Sequence, residues 1–599
     1  MSARLLKAAA ALLGSAVVAR MIDSKLKISK DLGLLKTLLK TKLGVARMTR
    51  NQLTVADLWE ETVDAHPTKA AIRFVNDGSM WTFADLDNCT CGAAHWALSR
   101  GLKAGDVVAL FMTNRPEFVA TWLGLAKVGV VIAFINHNLN GVCVCKPLMH
   151  CMNVSKARAV VFDEPLRDAV EGVRGDLGGL GADFLTVTLG GASGSVGLDV
   201  DLSGVLPSLS PSRPAKSFRA TVQPADTYGF VYTSGTTGMP KAALISHIRL
   251  YLAGKGFGCI GDLRPDDVVY TVLPLYHSAG GMIGVGLLLF HGLTMVLRDK
   301  FSRSNFWSDC VKYECTVMQY IGELCRYLLL QDPPHPMQSA HKVRIAIGNG
   351  LRPDIWAKFQ DRFNVPEVLE FFGSSEGARP RACVAGRTVL TAPPPGNVAL
   401  AVGVCGFLQN LTGLNVIVKY DDEEEAPKRG RDGFCIPADT DEPGEMLGKI
   451  TDDPSRAFHG YNGNDKATNS KVLRDVFSKG DAYFRTGDLL KKDAHGYYHF
   501  VDRIGDTFRW KGENVSTNEV QEFVSGFPGI AEANVYGVAL PGQDGRAGMA
   551  ALTLTHDSSR SVPDGKGGTI QLDIAGLATH LRKSLPPYAV PLFLRILPK

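Results

Sequence analysis

Short apolar runs that alternate with helix-like segments restrict the fold of this chain more than any other feature. The runs Val107–Met112, Val130–Ile135 and Ala157–Phe162 have the length and apolar content of buried strands. Between the first two runs, the segment RPEFVATWLGLAKVG has the apolar spacing of a helix. Strands and helices that alternate in this way build largely parallel sheets. The pattern therefore predicts an α/β fold.

The length of the chain predicts several domains, because 599 residues exceed what one compact core accommodates. With 45% hydrophobic and 21% charged residues, the composition is that of a globular protein. A boundary is predicted near Asp502, where a strand-rich region ends. Residues 51–502 would then form a large domain, and residues 503–599 a small α/β domain.

The first 50 residues are basic and rich in leucine. They contain eleven Lys and Arg residues and two acidic residues, which gives a net charge of +9. Since the whole chain carries +5, the remaining residues carry −4, and a nucleic-acid-binding body is not indicated. The uncharged run Ala8–Ala19 is shorter than the ~20 residues that a membrane-spanning helix needs.

The second part of this arm, Lys25–Arg47, has the pattern of a helix that lies in a membrane interface. Its leucines recur at roughly helical spacing with lysines nearby, namely Leu32, Leu35, Leu39 and Leu43 with Lys36, Lys40 and Lys42. Such a helix places leucines in the apolar layer and lysines toward anionic headgroups. The alternatives are a cleaved targeting peptide and a helix docked on the body of the protein. Residues 1–50 therefore predict association with a membrane surface.

The twelve cysteines form no recurring disulfide framework, so reduced cysteines that face the cytosol are expected. The bound membrane would be that of the endoplasmic reticulum, the peroxisome or the cell surface. The segment CVCKPLMHC places His150 beside Cys151, but its spacing matches no tetrahedral zinc pattern. Buried apolar packing is the expected role of these cysteines.

The stretch YTSGTTGMPK, Tyr232–Lys241, follows an apolar run and resembles a phosphate cradle in composition. Gly235 and Gly238 allow main-chain N–H groups to approach an anion, and hydroxyls with Lys241 complete such a site. The stretch lacks the G-x-x-x-x-G-K-[ST] pattern of the strand-to-helix nucleotide loop. Taken alone, it would be a polar surface turn.

Four further stretches are also polar and contain glycines, so it is not sufficient to interpret the first one as an isolated surface turn. Each would form a turn by itself. They are IGNGLRPDIW (Ile347–Trp356), LEFFGSSEG (Leu369–Gly377), YFRTGDLL (Tyr483–Leu490) and DRIGDTFRWKGENVSTNEV (Asp502–Val520).

With these motifs the chain resembles the adenylate-forming acyl-CoA synthetases, specifically the fatty acid transport protein and very-long-chain acyl-CoA synthetase family. YTSGTTGMPKAALISH is similar to the phosphate loop of the family, PLYHSAGGMIGVG to its substrate-side loop, and YFRTGDLL with DRIGDTFRWKGENVST to its subdomain junction. The resemblance runs from about residue 50 to the end, with the motifs in the family order. It implies a large N-terminal adenylate-forming domain of packed sheets and helices and a small mobile C-terminal α/β domain.

The resemblance implies a reaction in two steps. A long-chain or very-long-chain fatty acid and ATP, with Mg²⁺, give an acyl-adenylate and pyrophosphate, and coenzyme A then accepts the acyl group. Because a carboxylate attacks an anionic α-phosphate, the site needs cations, N–H groups and a metal where charge develops.

The same resemblance implies a role for each matching residue. The phosphate loop comprises Thr233, Ser234, Gly235, Thr236, Thr237, Gly238 and Lys241, with Thr236 and Lys241 as catalytic groups. The wall of the adenine pocket comprises Gly348, Asn349, Gly350, Phe371 and Phe372. Glu376 is the magnesium-linked acid, with Ser375 as its hydroxyl neighbour, and Asp488 accepts both ribose hydroxyls, with Arg503 beside it. His277 lies near the incoming carboxylate, and its alternative role is polar packing in the core.

The positions that match the family motifs also imply which residues serve the second half-reaction. The pivot of the small domain falls at Gly505 and Asp506, where a glycine absorbs a large backbone change. Lys511 and Gly512 would lie near the coenzyme A passage.

Two departures from the family pattern are visible. Residues 378–396, ARPRACVAGRTVLTAPPPG, separate Gly377 from Asn397, where the family continues almost directly. This proline-rich stretch should loop out, whether it is a genuine insertion or retained non-coding sequence. The family also continues beyond FLRILP with a lysine that contacts the α-phosphate, whereas this sequence ends at Lys599. The small domain is therefore expected to be truncated, and adenylation weaker than thioester formation.

These observations favour a long-chain or very-long-chain fatty acid–CoA ligase on a membrane surface, coupled to fatty acid uptake or activation. One alternative is a fatty-acid-binding or transport protein with impaired catalysis. Another is an adenylating enzyme such as an aryl ligase or a luciferase, against which the FRWKGENVST junction and the basic arm argue. Chain-length preference and oligomeric state are not indicated by the sequence.

Overall fold

The structure is a computed structural model. It describes residues 28–137, 145–181, 183–189, 200–202, 209–233, 240–331, 333–351, 353–371, 403–404, 415–421, 424–451, 458, 460–494, 497–504, 507–510, 513–540, 546–554, 561–563, 569–585 and 587–597.

The described residues form two compact units. The first unit takes those within Met1–Asn415, Gly448–Phe484 and His495–Tyr497. The second takes those within Val416–Leu447, Arg485–Ala494 and Tyr498–Lys599. The domain boundaries predicted after residues 50 and 502 stay predictions.

Both units contain helices, which lie between strands along the chain. The α-helices are α1 (Ile28–Asn51), α2 (Val55–Ala65), α3 (Phe83–Ser99), α4 (Pro116–Lys127), α5 (Cys145–Ser155), α6 (Arg167–Glu171), α7 (Arg174–Leu177), α8 (His247–Ile260), α9 (Gly286–His291), α10 (Phe306–Lys312), α11 (Gly322–Leu329), α12 (Pro353–Phe363), α13 (Asp465–Ser470), α14 (Thr517–Ser525) and α15 (Ile574–Ser584). A π-helix, Ser278–Val285, leads directly into α9.

The strands are mostly short, as expected for a mixed α/β protein. They are β1 (Ala70–Phe74), β2 (Met80–Thr82), β3 (Val107–Phe111), β4 (Val131–Phe134), β5 (Ala157–Asp163), β6 (Leu185–Leu189), β7 (Val200–Asp201), β8 (Thr227–Thr233), β9 (Lys241–Ser246), β10 (Val268–Thr271), β11 (Thr294–Leu297), β12 (Val317–Ile321), β13 (Ile345–Asn349), β14 (Glu367–Glu370), β15 (Gly403–Val404), β16 (Asn415–Asp421), β17 (Ala426–Pro427), β18 (Gly444–Lys449), β19 (Val472–Arg474), β20 (Ala482–Lys492), β21 (Tyr497–Arg503), β22 (Thr507–Trp510), β23 (Glu513–Ser516), β24 (Ile530–Ala539), β25 (Arg546–Leu554), β26 (Ser561–Pro563), β27 (Thr569–Gln571) and β28 (Phe593–Ile596).

Two seven-stranded sheets build the first unit. One has the order β7-β6-β5-β3-β4-β8-β9, and its strands are parallel except for β9, which returns antiparallel to β8. The other has the order β14-β13-β12-β10-β11-β1-β2 and is parallel up to the antiparallel edge strand β2. The three apolar runs identified in the sequence are β3, β4 and β5, and the helix-like segment between the first two is α4. The predicted α/β arrangement with largely parallel sheets is confirmed.

A shared hydrophobic core joins elements of both sheets. Val108 and Leu110 of β3 and Ile72 of β1 belong to one buried cluster, together with Trp122 of α4. Parallel sheets bury both faces under helices, which explains why these strands are continuous apolar runs.

A fully buried ionic network lies among α2, α3 and α4. Lys127, at the end of α4, has no exposed side-chain surface, and its Nζ lies 3.1 Å from Glu60 Oε1 and 2.9 Å from Asp87 Oδ1. Arg219 is also buried and contacts Glu60 Oε2 at 2.9 Å and Asp57 Oδ1 at 3.0 Å. The network neutralises each buried charge by an opposite one, which burial requires.

Helix α1 packs on α8, and among the side chains that the structure describes, Thr37 and Thr41 face the protein whereas Leu39 and Leu43 do not. Thr37 and Thr41 are buried, and Thr41 Oγ1 donates to the Thr37 carbonyl oxygen at 2.9 Å. Gly44 lies where a Cβ atom would come within 1.9 Å of the Tyr251 hydroxyl, so a glycine is required for this approach. Leu39 and Leu43 are 58% and 62% exposed. The described part of α1 therefore docks on the body of the protein, which is one of the alternatives that the sequence left open.

The second unit contains most of a sheet with the order β21-β20-β18-β16-β17 and a three-stranded sheet, β24-β25-β28. Helices α14 and α15 pack against the latter, because Val520 and Leu577 share a core cluster with Val535 and Ala550. The expected smaller C-terminal domain with its own sheet and helices is thus present.

Candidate active site

The glycine-rich stretch closes a β-hairpin. Thr233, the last residue of β8, lies opposite Lys241, the first residue of β9. The loop between them is therefore flanked by two antiparallel strands, unlike the nucleotide loop that runs from a strand into a helix. The loop residues themselves, Ser234, Gly235, Thr236, Thr237 and Gly238, lie outside the described residues.

Helix α5 and the segment Gly460–Asn462 hold the base of this hairpin from outside the sheet. His150 contacts the Pro240 carbonyl oxygen at 3.0 Å, and the Tyr232 hydroxyl donates to the Cys151 carbonyl oxygen at 2.7 Å. The Asn462 amide N–H donates to the Ala242 carbonyl oxygen at 2.9 Å. His150 and Cys151, which the sequence placed together as a weak metal candidate, thus have structural partners.

Lys241 lies over an aromatic ring. Its Nζ is 5.6 Å from the centroid of Tyr461, which is buried in a small cluster with Ala243 and Ala467. In the described ranges no ion pair joins Lys241 to a carboxylate. An aromatic ring attracts an ammonium group without neutralising it, so Lys241 can still attract an anion.

The predicted adenine wall is assembled from the ends of two parallel neighbours, β13 and β14. Gly348 and Asn349 end β13, and the Phe371 amide N–H donates to the Gly348 carbonyl oxygen at 2.9 Å. Gly350 follows with φ of +74°, a conformation that favours glycine. Gly350 is exposed and Phe371 is partly exposed, so a flat base could contact both an aromatic ring and backbone polar groups. These residues fit a purine.

A buried carboxyl group that the sequence analysis missed lies behind this turn. Glu370 accepts hydrogen bonds from the Gly350 N–H at 2.5 Å, from the Leu351 N–H at 3.3 Å and from the Tyr320 hydroxyl. Burial raises the pKa of Glu370 to about 8, although these hydrogen bonds act in the opposite direction. Glutamate in the apolar run VLEFF was the available signal, because a buried strand end rarely carries one.

His277 lies on the surface just before the π-helix. Its backbone accepts from the Gly281 N–H at 2.8 Å, and its ring lies 5.6 Å from that of Tyr276. The glycines of the π-helix allow close packing, since a Cβ atom on Gly284 would lie 2.5 Å from Gln319 Oε1. Single π-helical turns occur frequently at functional sites. His277 is exposed at the surface, while partial burial of its imidazole lowers the pKa of the ring.

The predicted ribose-binding pair lies in the second unit. Asp488 of β20 is opposite Arg503 of β21, and the Ile504 N–H donates to the Gly487 carbonyl oxygen at 2.7 Å. Gly487 has φ of +74°, which a residue other than glycine would adopt with strain. Asp488 is 6% exposed, and its backbone N–H donates to Thr486 Oγ1 at 3.1 Å.

Several predicted residues and segments lie outside the described residues. They are Phe372, Ser375, Glu376, Gly505, Asp506, Lys511, Gly512 and the stretch 378–396. In the part of the chain that the structure describes, no group of three or more His, Cys, Asp or Glu residues could hold a metal ion. The magnesium role of Glu376 stays a prediction.

A comparison with known protein families identifies the class of enzymes to which this chain belongs. The family model described as AMP-binding enzyme matches residues 59–447. The chain therefore belongs to the class of AMP-binding enzymes.

Relatives among characterised proteins narrow the class. The chain is 42% identical to "Long-chain fatty acid transport protein 1" of Mus musculus, over 95% of this chain and 83% of the relative. It is 34% identical to "Very long-chain fatty acid transport protein" of Cochliobolus heterostrophus, over 98% and 86%. The chain belongs to the fatty acid transport protein family, as the sequence motifs predicted.

Solved structures with the same fold include several CoA ligases. They are anthranilate CoA ligase AuaEII in complex with anthranoyl-AMP (TM-score 0.68, 19% identity, 92% of this chain and 94% of that one), ATP-bound MatB from Rhodopseudomonas palustris (0.64, 22%, 91% and 95%) and Mycobacterium tuberculosis fatty acyl CoA synthetase (0.59, 19%, 91% and 94%). The predicted adenylate-forming fold is confirmed.

Proposed function

We propose that this chain is an ATP-dependent long-chain or very-long-chain fatty acid–CoA ligase that forms AMP through an acyl-adenylate. The observation that carries the proposal is Lys241, a lysine without a carboxylate partner in the described ranges, at the foot of the glycine-rich loop in a chain of the fatty acid transport protein family. The names of the relatives supply the substrate class, long-chain and very-long-chain fatty acids.

The first half-reaction joins the fatty carboxylate to the α-phosphate of ATP and releases pyrophosphate. Negative charge accumulates on the phosphate oxygens as the new bond forms. Lys241, with Thr236 and the N–H groups of the loop, would stabilise that charge. Magnesium bound at Glu376 would neutralise phosphate oxygens and orient them. His277, exposed before the π-helix, would lie beside the incoming carboxylate.

Nucleotide recognition would use two different kinds of contact. The turn Gly348–Gly350 and Phe371 would bind the adenine base through backbone polar groups and an aromatic face. Asp488, with Arg503 beside it in the strand register, would accept the two ribose hydroxyls. In the second half-reaction the thiol of coenzyme A displaces AMP, and Lys511 and Gly512 are proposed near that thiol by family position.

The exposed leucines of α1 support a membrane-surface location. Leu39 and Leu43 are four residues apart, so they share one face of the helix, with Lys40 and Lys42 exposed nearby. Polar Thr37 and Thr41 face the protein instead. This arrangement suits an apolar layer beneath anionic headgroups. Within the described residues no helix is both long and apolar enough to cross a bilayer.

Replacing both leucines by aspartate should therefore weaken binding to vesicles that contain phosphatidylserine by at least about tenfold, because two apolar side chains lose their burial. Sedimentation with the vesicles measures the effect, and binding of the unaltered protein should fall with added salt. Leu330→Asp is the matched control, since Leu330 is 56% exposed elsewhere. Equal vesicle binding by the double variant and the control would contradict this role for α1.

The catalytic proposal is tested by supplying the purified protein with oleate, ATP, magnesium and coenzyme A. We expect AMP and oleoyl-CoA in equal amounts, and a rate lower by roughly thirty- to a hundredfold in Asp488→Ala, because a charge-assisted pair of contacts to the ribose is lost. Circular dichroism checks that the variant folds. Absence of oleoyl-CoA with the unaltered protein would overturn the proposed function, and a fully active Asp488→Ala would limit Asp488 to a structural role in β20.

A further inference from the structure

We infer that Glu370 is a positioning residue for nucleotide binding, whose buried carboxyl group fixes the backbone of Gly350 and Leu351 so that the Gly348–Gly350 turn can receive the base. The inference rests on the proposed function, because it deepens the role of the adenine wall.

The geometry begins with the sheet register. Glu370 ends β14 directly opposite Gly348 of the parallel neighbour β13. Its side chain is buried at 3% exposure, and one carboxyl oxygen accepts from the Gly350 N–H at 2.5 Å. The Leu351 N–H lies 3.3 Å and 3.4 Å from the two oxygens. One carboxyl group therefore serves two consecutive backbone donors of the turn.

The turn depends on that acceptor because it has few other means of keeping its shape. Gly350 adopts a positive φ, and in this conformation its N–H donates to Glu370. The close approach of α11 leaves the turn little room to adjust, since a Cβ atom on Gly322, the first residue of that helix, would lie 1.6 Å from the Gly350 carbonyl oxygen. The Leu351 N–H is buried, and a buried donor without an acceptor is unfavourable, so loss of the carboxyl group should rearrange the turn.

The protonation state of Glu370 follows from its surroundings. The titratable groups that act on it are Tyr320 of β12 and Cys325 of α11, and burial raises the pKa of both above their ordinary values. Both are therefore neutral in the range in which Glu370 titrates, and no ion pair to Glu370 is seen in the described ranges. The neutral carboxyl can donate its proton to the Tyr320 oxygen while its carbonyl oxygen accepts from the turn.

The protonation state of Glu370 determines the direction in which pH changes nucleotide binding. Because the pKa of Glu370 is raised from 4.5 to about 8, the folded protein favours the neutral form, and this preference is lost as the pH rises through about 8. Above that pH a buried anion without a cation lies behind the adenine wall. Nucleotide binding should therefore weaken between pH 7 and pH 9 through this group.

Calorimetric titration with ATP at pH 7 and pH 9 tests the inference on the unaltered protein, Glu370→Gln, Glu370→Ala and Tyr320→Phe. Glutamine keeps an acceptor for the turn and a donor for Tyr320 but does not titrate. At pH 7 we expect Glu370→Gln to bind within about twofold of the unaltered protein and Glu370→Ala about tenfold more weakly. Tyr320→Phe should weaken binding by about threefold, because it removes one partner only.

The pH comparison separates positioning from a merely structural role. The ATP affinity of the unaltered protein should fall by about threefold or more from pH 7 to pH 9, beyond the change seen in Glu370→Gln. If Glu370→Ala does not fold, this comparison alone decides. Equal pH dependence of the unaltered protein and Glu370→Gln, or unchanged ATP affinity in a folded Glu370→Ala, would overturn the inference. Failure of the unaltered protein to bind ATP at pH 7 would overturn the proposed function and the inference with it.

Discussion

Replacing Lys127 by methionine is expected to lower the free energy of unfolding by about 3–5 kcal/mol. The Lys127 ammonium group is fully buried between Glu60 and Asp87, and methionine fills a similar volume without a charge. Glu60 and Asp87 then each lose a buried cationic partner. The midpoint of urea unfolding, followed by tryptophan fluorescence, measures the loss, since the Trp59 indole donates to Asp87 Oδ1 at 2.7 Å.

Two further variants identify the cause. Lys127→Met combined with Glu60→Gln restores the balance of charge, so it should be more stable than Lys127→Met alone. Lys342→Met breaks an ion pair with Glu314 whose side chains are 66% and 65% exposed, and it should change stability by less than about 0.5 kcal/mol. A similar small change in Lys127→Met would show that burial of its charge is not what holds these helices.

The same network, to which Arg213 belongs because its Nε lies 3.0 Å from Asp87 Oδ2, predicts sensitivity to acid. Burial alone would raise the pKa of Asp87, but Lys127 and Arg213 outweigh it and lower the pKa below its usual 3.8. A depressed pKa contributes stability above the unfolded value, and this contribution is lost as the pH falls through the folded value. The first unit should therefore lose stability below about pH 4, as unfolding midpoints between pH 3 and pH 7 would show.

The proposed contact of Lys241 with the ATP phosphates predicts that Lys241→Ala reduces the rate of oleate adenylation by about a hundredfold or more, because the proposal places this cation where phosphate charge develops. Lys241 opens β9 opposite the end of β8, so the hairpin and not a flexible tether determines where its side chain begins. Pyrophosphate release with saturating ATP and oleate measures this step without coenzyme A.

The control for this substitution is Lys342→Ala, an exposed lysine in the same unit, which should leave pyrophosphate release unchanged. Tyr461→Leu removes only the ring beneath Lys241, so it should slow the reaction by less than Lys241→Ala does. Adenylation at the normal rate in a folded Lys241→Ala would assign the phosphate contact to another residue.

Much of the fold was predictable because its strands are local signals. Val107–Phe111 and Ala157–Asp163 are buried on both faces, so their apolar runs are continuous and easily recognised. The orientation of α1 was not predictable. The leucines at helical spacing indicated an apolar stripe, but the side that packs on α8 is decided by Gly44 and Tyr251, residues far apart in sequence.

The candidate site was predictable to the extent that motifs carry it. Lys241, Gly348–Gly350 and Asp488 each stand in a glycine-rich stretch, which a sequence displays directly. Glu370 was missed because its buried carboxyl group is recognised only through its contact with Tyr320, which lies fifty positions earlier in the chain. Buried Lys127 was missed for the same reason, since a lysine at the end of a helix ordinarily reaches water.

Strand β9 is the last strand of its sheet, and its outer edge is covered by Tyr461, which bridges to Ala243, and by Asn462, which donates to the Ala242 carbonyl oxygen. An uncovered edge offers free N–H and C=O groups to another chain. The segment that covers this edge is made more than two hundred residues after the edge itself. During synthesis, therefore, nascent chains that have not yet reached residue 460 lack the segment that covers this edge, and an uncovered edge favours association with other chains.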